Sequence, residues 1–583
     1  MVSLSLRDQV LNRILPRVRT PAQYVGGELH VVHKDHAKTP GKLCLAFPDT
    51  YTIGMSHHGL QVLYSRMNAR SDWLCERVFT PLPDMEQALR EAGLPLYSLE
   101  SFTPLRDFDL LGFTLQYEIS GSNLLTMLDL GGIPLHSEDR TMADPLVIAG
   151  GPCAHNPEPL APFVDLFVTG DGEPSLPAIC DFWLKLRGPS RAGNAQSRAE
   201  AIAEMAGALP YVYAPRFYEP EFADGQFTSY NRTTRSVPAT IEPSVIDDLD
   251  AVPLPTKPIV PFVECVHDRV AIEIMRGCPW QCRFCQSTVI KRPLRFRSVD
   301  TIVEAALASY YATGYNELSI LSLSTSDYPH FEQLVNRLRD VLLPLDVSIS
   351  IPSLRVNETL KSVPKLIPPS KRSGLTLAPE VARDDMREQI RKNISNQDLF
   401  DGCREAFRQG FQHVKLYFLC GLPGERQVDL DGIIDMAETI AGIGREVRGK
   451  PTKVVASVSN FVPKAHTPYQ WNGMQQADYF RWAHTYMRRK LRVRSVQLKC
   501  HDIETSLLEG VLSRGDRRLA QAIEIAWRNG ARLDGWREHM QAELWWNAIA
   551  ECGLQRDQLL HRAYQLTDRL PWDQLNVKKG RAY

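Results

Sequence analysis

Three cysteines within eight residues are the strongest chemical signal in the sequence: Cys278, Cys282 and Cys285, with Phe284 directly before the third thiol. Cysteine thiolates are the usual protein ligands of iron–sulfur clusters. Three thiolates from one short loop can bind three of the four irons of a [4Fe–4S] cluster, and no fourth cysteine follows nearby. A structural zinc site would need four ligands, and the nearest upstream cysteine and histidine stand at no usual zinc-finger spacing. The loop therefore predicts a cluster with one iron open to chemistry.

The cysteine loop follows a strand-like run, residues 270–275, which belongs to a repeating pattern of strands and helices. Six such units predict an open (βα)6 barrel, that is, a partial TIM barrel. Functional residues of these barrels lie at the carboxyl ends of the strands, where the cysteine loop falls. The five further strand candidates are 317–323, 345–351, 374–378, 413–419 and 453–461.

The N-terminal third shows a second alternation of strands and helices. This βαβ rhythm predicts a Rossmann-like domain with a parallel sheet and ligand loops at the carboxyl ends of its strands. Gly150, Gly151, Gly170 and Gly172 end two of these strands and would let the backbone approach a ligand closely. The strand candidates are 42–48, 109–115, 145–152 and 165–173, and the helix candidates are 58–68 and 122–130.

The cysteine motif resembles the radical S-adenosylmethionine (SAM) superfamily. In that superfamily the fourth iron chelates the amino and carboxylate groups of SAM and delivers an electron that cleaves it. The glycine-ended strands ahead of the motif resemble the cobalamin-binding type, in which a Rossmann-like domain holds the corrin over the SAM site. The tail beyond Lys499 resembles an uncharacterised fused family with a helical C-terminal extension. Three further segments resemble a subgroup that includes methylthiotransferases and cobalamin-dependent enzymes: Ala-Pro-Glu at 378–380, Gly-Leu-Pro-Gly-Glu at 421–425 and Val-Pro-Lys-Ala-His-Thr-Pro at 462–468.

One departure concerns the cobalt ligand. Many cobalamin domains carry Asp-x-His-x-x-Gly, whose histidine coordinates cobalt from below. Here His57 and His58 precede Gly59, without an aspartate two residues ahead of a histidine. Either cobalamin sits without a protein ligand, or the domain has lost it and serves as a scaffold or substrate platform. The two histidines are interpreted as loop or helix-start residues.

The resemblance implies SAM contacts by strand order. Arg355 suits the SAM carboxylate and Glu380 the ribose diol. Ser324 stands where many members have a Gly-Gly-Glu-like turn for the SAM amino group. The backbone at Gly421 and Gly424 would lie against adenine, alongside the aromatic ring of the cysteine loop.

Five segments are predicted along the chain. An N-terminal helix and lead-in occupies 1–39, and the Rossmann-like cobalamin-binding-type domain follows at 40–185. A linker with a small β module, in which 211–215 and 225–231 form a hairpin, occupies 186–262. The radical SAM barrel spans 263–499, and a helical C-terminal cap spans 500–583.

Composition favours a cytoplasmic enzyme. The 12 cysteines show no framework of the secreted type, which is typical of a reducing compartment. A net charge of −1 indicates no nucleic-acid or membrane partner for the molecule as a whole. The N-terminus has no apolar signal core, and no apolar run is long enough to span a bilayer.

The predicted function is reductive cleavage of SAM to a 5′-deoxyadenosyl radical, coupled to cobalamin-dependent methylation or another radical modification of an unknown substrate. The implied cofactors are a [4Fe–4S] cluster, SAM and cobalamin, with flavodoxin or ferredoxin as electron donor. One alternative is a methylthiotransferase-like enzyme acting on RNA or protein, which would need a second trio of cluster cysteines. The other is a non-catalytic iron–sulfur sensor or structural protein.

Overall fold

The computed structural model describes residues 4–188, 197–351 and 374–577. Arg355, the predicted partner of the SAM carboxylate, lies outside the described residues. The fold is mixed α/β with parallel sheets, as predicted, and the boundaries of the five predicted segments stay a prediction.

The N-terminal sheet has six strands in the order β2-β1-β3-β4-β5-β6, of which the first five run parallel and β6 is antiparallel. The order 2-1-3-4-5 is that of a doubly wound, flavodoxin-like sheet, which confirms the Rossmann-like prediction. The strands are β1 Gly41–Phe47, β2 Trp73–Phe79, β3 Leu110–Thr114, β4 Leu146–Gly150, β5 Leu166–Val168 and β6 Val212–Tyr213.

Helices cover this sheet and the segment that leads to it. In α3, Leu60, Tyr64 and Met67 are buried at the spacing of one helix face, and this face packs against the core. The helices are α1 Leu6–Gln9, α2 Tyr51–Met55, α3 His58–Asn68, α4 Pro83–Ala92, α5 Gly121–Leu130, α6 Gly172–Arg187 and α7 Arg198–Ala208.

The small β module differs from the prediction. Its hairpin pairs β7 (Tyr218–Ala223) with β8 (Gln226–Arg232), joined by the tight turn at Asp224 and Gly225. The predicted first strand, 211–215, instead adds β6 to the edge of the N-terminal sheet, antiparallel to β5. The predicted hairpin was wrong in its first strand because an isolated alternating run does not reveal its partner.

All six predicted barrel strands are present. Among the described residues they form two parallel sheets in chain order, β9-β12-β13 and β14-β15-β16, and a seventh strand, β17, extends the second sheet. The strands of this part are β9 Val270–Glu273, β10 Met275–Arg276, β11 Arg295–Phe296, β12 Glu317–Leu321, β13 Ser348–Ser350, β14 Gly374–Glu380, β15 His413–Cys420, β16 Lys453–Asn460 and β17 Val496–Cys500.

The barrel strands are covered by helices on one face. In β15, buried residues alternate strictly with half-buried ones. This alternation indicates a packed face against the helices and an opposite face that borders an open interior. The helices are α8 Ser287–Ile290, α9 Val299–Thr313, α10 Phe331–Leu342, α11 Asp384–Gln389, α12 Asn396–Arg408, α13 Gln427–Arg448 and α14 Ala477–Lys490.

The C-terminal segment is helical, as predicted. Its tryptophans mostly serve burial, since Trp527, Trp545 and Trp572 are at most 6% exposed. In the described part of the chain, no helix has both the length and the apolar character needed to cross a membrane. The helices are α15 Ile503–Arg514, α16 Leu519–Arg528, α17 Ala542–Glu551 and α18 Arg556–His561.

Candidate functional site

The three cysteines line one cavity of about 200 Å³ at the carboxyl ends of the barrel strands. The cavity also takes in residues from the ends of β12 and β14, two strands that are far apart in sequence. It therefore brings together most of the predicted cluster and SAM residues, which here are Cys278, Cys282, Phe284, Cys285, Ser324 and Glu380. We call it the cysteine cavity.

The arrangement of the thiols fits an iron–sulfur cluster. Cys278 and Cys282 are 8% and 7% exposed. Burial raises the pKa of the Cys278 thiol to about 11 and also raises the pKa of Cys285. Bound iron would offset this cost, because metal ligation deprotonates a thiol. Among the described residues, no three His, Cys, Asp or Glu side chains are grouped to hold a single metal ion.

Hydrogen bonds fix the cysteine loop against the end of β12. Trp280 Nε1, between the first two cysteines, donates to Asp327 Oδ2 at 2.6 Å. Ser324 Oγ donates to the same carboxylate oxygen. Sequence reasoning had placed only Ser324 at this site. Asp327 was visible in the sequence as an acid just after a strand, but its contact with the loop was not.

Gly277 shapes the start of the same loop. Its φ is +90°, and a Cβ there would lie 2.9 Å from Lys291 O and 3.0 Å from Pro293 O. A side chain would therefore force the backbone apart. On the opposite side, the Arg283 backbone N–H donates to Ile390 O at 3.0 Å. The loop is held at both ends before any ligand is added.

Glu380 and Lys392 form an ion pair in the cysteine cavity. Lys392 Nζ donates to Glu380 Oε1 at 3.2 Å. Burial raises the pKa of Glu380, and the nearby Lys392 lowers it in part. Among the described residues that line this cavity, Lys392 is the one cation and Glu380 the one anion. Lys392 follows no motif, and sequence reasoning missed it.

Gly421 and Gly424 do not line the cysteine cavity as the structure describes it. The Gly421 backbone N–H donates to Glu425 Oε2 at 2.8 Å, and the Tyr479 hydroxyl donates to the same oxygen. Burial raises the pKa of Glu425 to about 7. The glycines thus form a turn that is closed by Glu425 at the end of β15, and their contact with adenine stays a prediction.

A second cavity, of about 420 Å³, lies between the carboxyl end of the N-terminal sheet and the barrel. All four predicted glycines line it: Gly150, Gly151, Gly170 and Gly172. From the barrel side it is lined by Met275, Arg276 and Leu321, among others. Its size lies within the range typical of small-molecule and cofactor sites. We call it the interdomain cavity.

At two of the four glycines, the local backbone leaves no room for a side chain. Gly151 has φ +104°, and a Cβ there would lie 2.4 Å from Leu115 O. Gly170 has φ +92°, and a Cβ there would lie 2.0 Å from Ser244 O. At Gly150 the nearest atom to a Cβ is 3.7 Å away, so this position has room for a side chain.

His57 and His58 both line the interdomain cavity. His57 is the N-cap of α3, and its Nδ1 accepts the Leu60 backbone N–H at 3.1 Å. Burial lowers the pKa of His57 to about 4, so the ring is neutral. The helix-start interpretation is confirmed for this residue. His58 Nε2 is buried and has no hydrogen-bond partner within the described chain.

A buried ion network ties the two parts of the site together. Arg276, two residues before the first cysteine, donates to both oxygens of Glu273 at 2.7 and 2.9 Å. It also donates to Asp171 at 2.9 Å and to Glu173 at 2.6 and 3.1 Å. The glycine turn after β5 is therefore linked directly to the start of the cysteine loop.

Leu323 lines both cavities. It is 45% exposed, which is unusual for a leucine in the interior of a site. The two cavities therefore meet at the end of β12, with this side chain at their boundary.

Two family models match the chain. "Radical SAM proteins, N-terminal" matches residues 59–215, and "Radical SAM superfamily" matches residues 272–437. The second match contains the whole cysteine loop, and together the two cover more than half of the sequence. The chain belongs to the radical SAM superfamily. The radical SAM domain implies a [4Fe–4S] cluster and SAM, in agreement with the thiol arrangement.

Two curated relatives are similar to this radical SAM protein. An uncharacterised protein of Methanocaldococcus jannaschii is 26% identical over 446 residues, which cover 75% of this chain and 84% of that protein. An uncharacterised methyltransferase of Pyrococcus horikoshii is 26% identical over 200 residues, which cover 34% of this chain and 43% of that protein.

Two solved structures of radical SAM enzymes are similar to parts of this chain. The methyltransferase TsrM of Kitasatospora setae, solved with cobalamin and a [4Fe–4S] cluster, is 15% identical with a TM-score of 0.48, over 72% of this chain and 74% of that one. The cobalamin-dependent enzyme OxsB, solved with aqua-cobalamin, is 11% identical with a TM-score of 0.47, over 83% of this chain and 66% of that one.

Proposed function

We propose that this radical SAM protein is a cobalamin-dependent enzyme that methylates a substrate by radical chemistry. The observation that carries the proposal is the meeting of the two cavities at Leu323, one lined by the cluster cysteines and the other by the glycine turns of a Rossmann-like sheet. The similarity to a methyltransferase of Pyrococcus horikoshii supports the reaction class.

The cysteine cavity would hold the cluster and SAM. Cys278, Cys282 and Cys285 would ligate three irons, and the fourth would be left to SAM. Lys392 suits the SAM carboxylate and Glu380 the ribose diol, because both groups face the same cavity as the thiols. Reduction of the cluster would come from an electron donor such as flavodoxin or ferredoxin.

The interdomain cavity would hold cobalamin. The cavity could receive part of such a group, because it is largely apolar, is bordered by glycine turns, and includes the buried His58 Nε2, which a bound molecule could satisfy. When bound, the reduced cluster supplies the electron that cleaves SAM, and methylcobalamin supplies the methyl group. The chain itself positions these groups and excludes water from the buried walls.

The substrate would lie beside Leu323. A substrate that has to reach both cavities would lie where they adjoin. Leu323 is the apolar side chain at that boundary, so it would set how closely the substrate approaches each side.

The methylthiotransferase alternative is less well supported. It would need a second group of cysteines near the N-terminus. The N-terminal thiols Cys44, Cys75, Cys153 and Cys180 are dispersed along the sequence, and none of them lines the cysteine cavity as the structure describes it. A sensor or structural protein would not need a cavity beside its cluster cysteines that also contains a lysine and a glutamate.

Anaerobic loading with cluster and hydroxocobalamin tests the proposal. We expect the protein to retain about one corrinoid per chain through gel filtration. After a chemical reductant has supplied the two electrons that convert the cobalt from Co(III) to Co(I), we expect it to form S-adenosylhomocysteine and methylated corrinoid from SAM. Gly150→Leu should abolish corrinoid retention, since that position opens on the cavity, and should leave iron content and 5′-deoxyadenosine formation intact.

Gly442→Leu is the matched control, because nothing lies within 4 Å of a Cβ built at that glycine. Cluster-loaded protein that forms 5′-deoxyadenosine but retains no corrinoid would contradict the cobalamin part of the proposal. It would leave a radical SAM enzyme of another type.

A further inference from the structure

Lys291 lies in the wall of the interdomain cavity. It directly follows α8, the short helix after the cysteine loop. No hydrogen bond or ion pair joins its Nζ to any residue that the structure describes. A lysine on a largely apolar wall is costly to bury, and most buried charges are paired.

The neighbouring carboxylates are already occupied. Both oxygens of Glu273 and both of Glu173 accept from Arg276. Asp171 Oδ1 accepts from Arg276 at 2.9 Å, and its Oδ2 accepts from Arg295 and from the Ile246 backbone N–H. All six oxygens therefore already accept at least one hydrogen bond, and none of these bonds comes from Lys291.

The electrostatic surroundings agree with this geometry. Burial lowers the pKa of Lys291, and the positive charge of Arg276 lowers it further, against the opposing effect of the three carboxylates. His57, which also lines the cavity, is neutral and cannot compensate a cation. The charged lysine would thus gain from an anionic group that enters the cavity.

We infer that Lys291 Nζ binds an anionic oxygen, from a phosphate or carboxylate, on the molecule that fills the interdomain cavity. The inference rests on the proposed function for the identity of that molecule. Two sources share the chemistry: the phosphodiester in the nucleotide tail of cobalamin, and an acidic group on the substrate. A charge-assisted hydrogen bond of this kind contributes on the order of a tenfold or larger change in affinity.

Cobinamide separates the two sources, because it has the corrin ring but lacks the nucleotide tail and its phosphodiester. If the phosphodiester is the partner, Lys291→Met should weaken cobalamin binding by about tenfold or more and leave cobinamide binding unchanged. Lys291→Arg keeps the charge and should retain most of the affinity. Equilibrium dialysis with absorbance detection measures both corrinoids.

If the substrate supplies the anion, Lys291→Met should leave both corrinoids unchanged. Orthophosphate and acetate should then raise the melting temperature of the wild-type protein and not that of the variant. The surface variant Lys38→Met is the control, since that lysine side chain is 84% exposed.

The assignment would be overturned if orthophosphate and acetate still raised the melting temperature of the Lys291→Met protein while its affinity for both corrinoids was unchanged. It would also be overturned if that rise persisted and the affinities for cobalamin and cobinamide fell equally.

Failure of the proposed function would give a different result. Wild-type protein would then bind neither corrinoid, and the anion titration would still test Lys291, because it can be run on protein without corrinoid.

Discussion

Lys392 and Glu380 give the cysteine cavity its charge pattern at the scale of single residues. Their contact of 3.2 Å makes them each other's partner within the described chain. SAM presents a carboxylate, an ammonium group and a ribose diol. When SAM binds, the lysine would contact its carboxylate and the glutamate its ribose hydroxyls. Each of the two side chains would then exchange its present partner for a group of SAM.

Lys392→Met should raise the dissociation constant of SAM about tenfold or more in cluster-loaded protein, because a charge-assisted hydrogen bond is removed. Lys392→Arg should bind SAM nearly as the wild type does. Equilibrium dialysis with labelled SAM measures the effect. A larger loss in Arg355→Met than in Lys392→Met would instead make Arg355 the main carboxylate partner, as strand order predicts.

At the scale of single residues, the sequence predicted which residue types line the site, but not which side chains contact each other there. The motif spacing predicted the three cysteines and Phe284, and strand order predicted Ser324 and Glu380. All of them line the cysteine cavity, and their contacts with SAM stay a prediction. Lys392 was missed because it lies in a loop after α11 and only the fold brings it back to Glu380. Asp327 was missed for the same reason.

At the scale of elements, the Arg276 network connects the glycine turn after β5 with the cysteine loop. The arginine is 13% exposed and meets three carboxylates that are 5–17% exposed. Buried charges of this kind are costly when one partner is removed. The network therefore holds the glycine turn after β5 against the start of the cysteine loop.

Arg276→Gln should destabilise the protein by about 3–5 kcal/mol, since it leaves the buried carboxylates of Glu173 and Glu273 without their shared cation, while Asp171 keeps its pair with Arg295. Chemical denaturation measures the loss. The control is Arg337→Gln, whose ion pair with Asp300 is 48% and 73% exposed and should contribute at most about 1 kcal/mol. Equal effects of the two variants would contradict the role of Arg276.

Helices and strands were predicted correctly where their apolar residues follow an uninterrupted pattern. Helix α3 was predicted at its observed bounds because its apolar residues repeat on one face. Strand β2 was missed because Glu76 and Arg77 interrupt its apolar run, although both are buried. Arg77 is paired with Glu28 and Glu100, residues from elsewhere in the chain. Such tertiary pairing has no local signature.

At the scale of the whole molecule, the C-terminal helices join the other two parts. Lys464, in the loop after β16, pairs with Glu118 of the N-terminal part at 2.6 Å and with Glu509 of α15 at 2.8 Å. The sequence predicted a helical cap but not this junction. A charged residue between distant segments can be identified only once the fold is known.

The measurement that tests the account most directly is anaerobic reconstitution of the wild-type protein and of the variants Cys278→Ala, Cys282→Ala and Cys285→Ala. Iron, sulfide and zinc are counted, and 5′-deoxyadenosine is assayed after reduction with SAM present. Cys552→Ala is the control, since that thiol lies at the end of α17.

The account predicts about four iron and four sulfide per wild-type chain, with SAM cleavage that each of the three variants abolishes and the control retains. Zinc or no metal in oxygen-free wild-type protein would contradict it, and so would SAM cleavage that survives in any of the three variants.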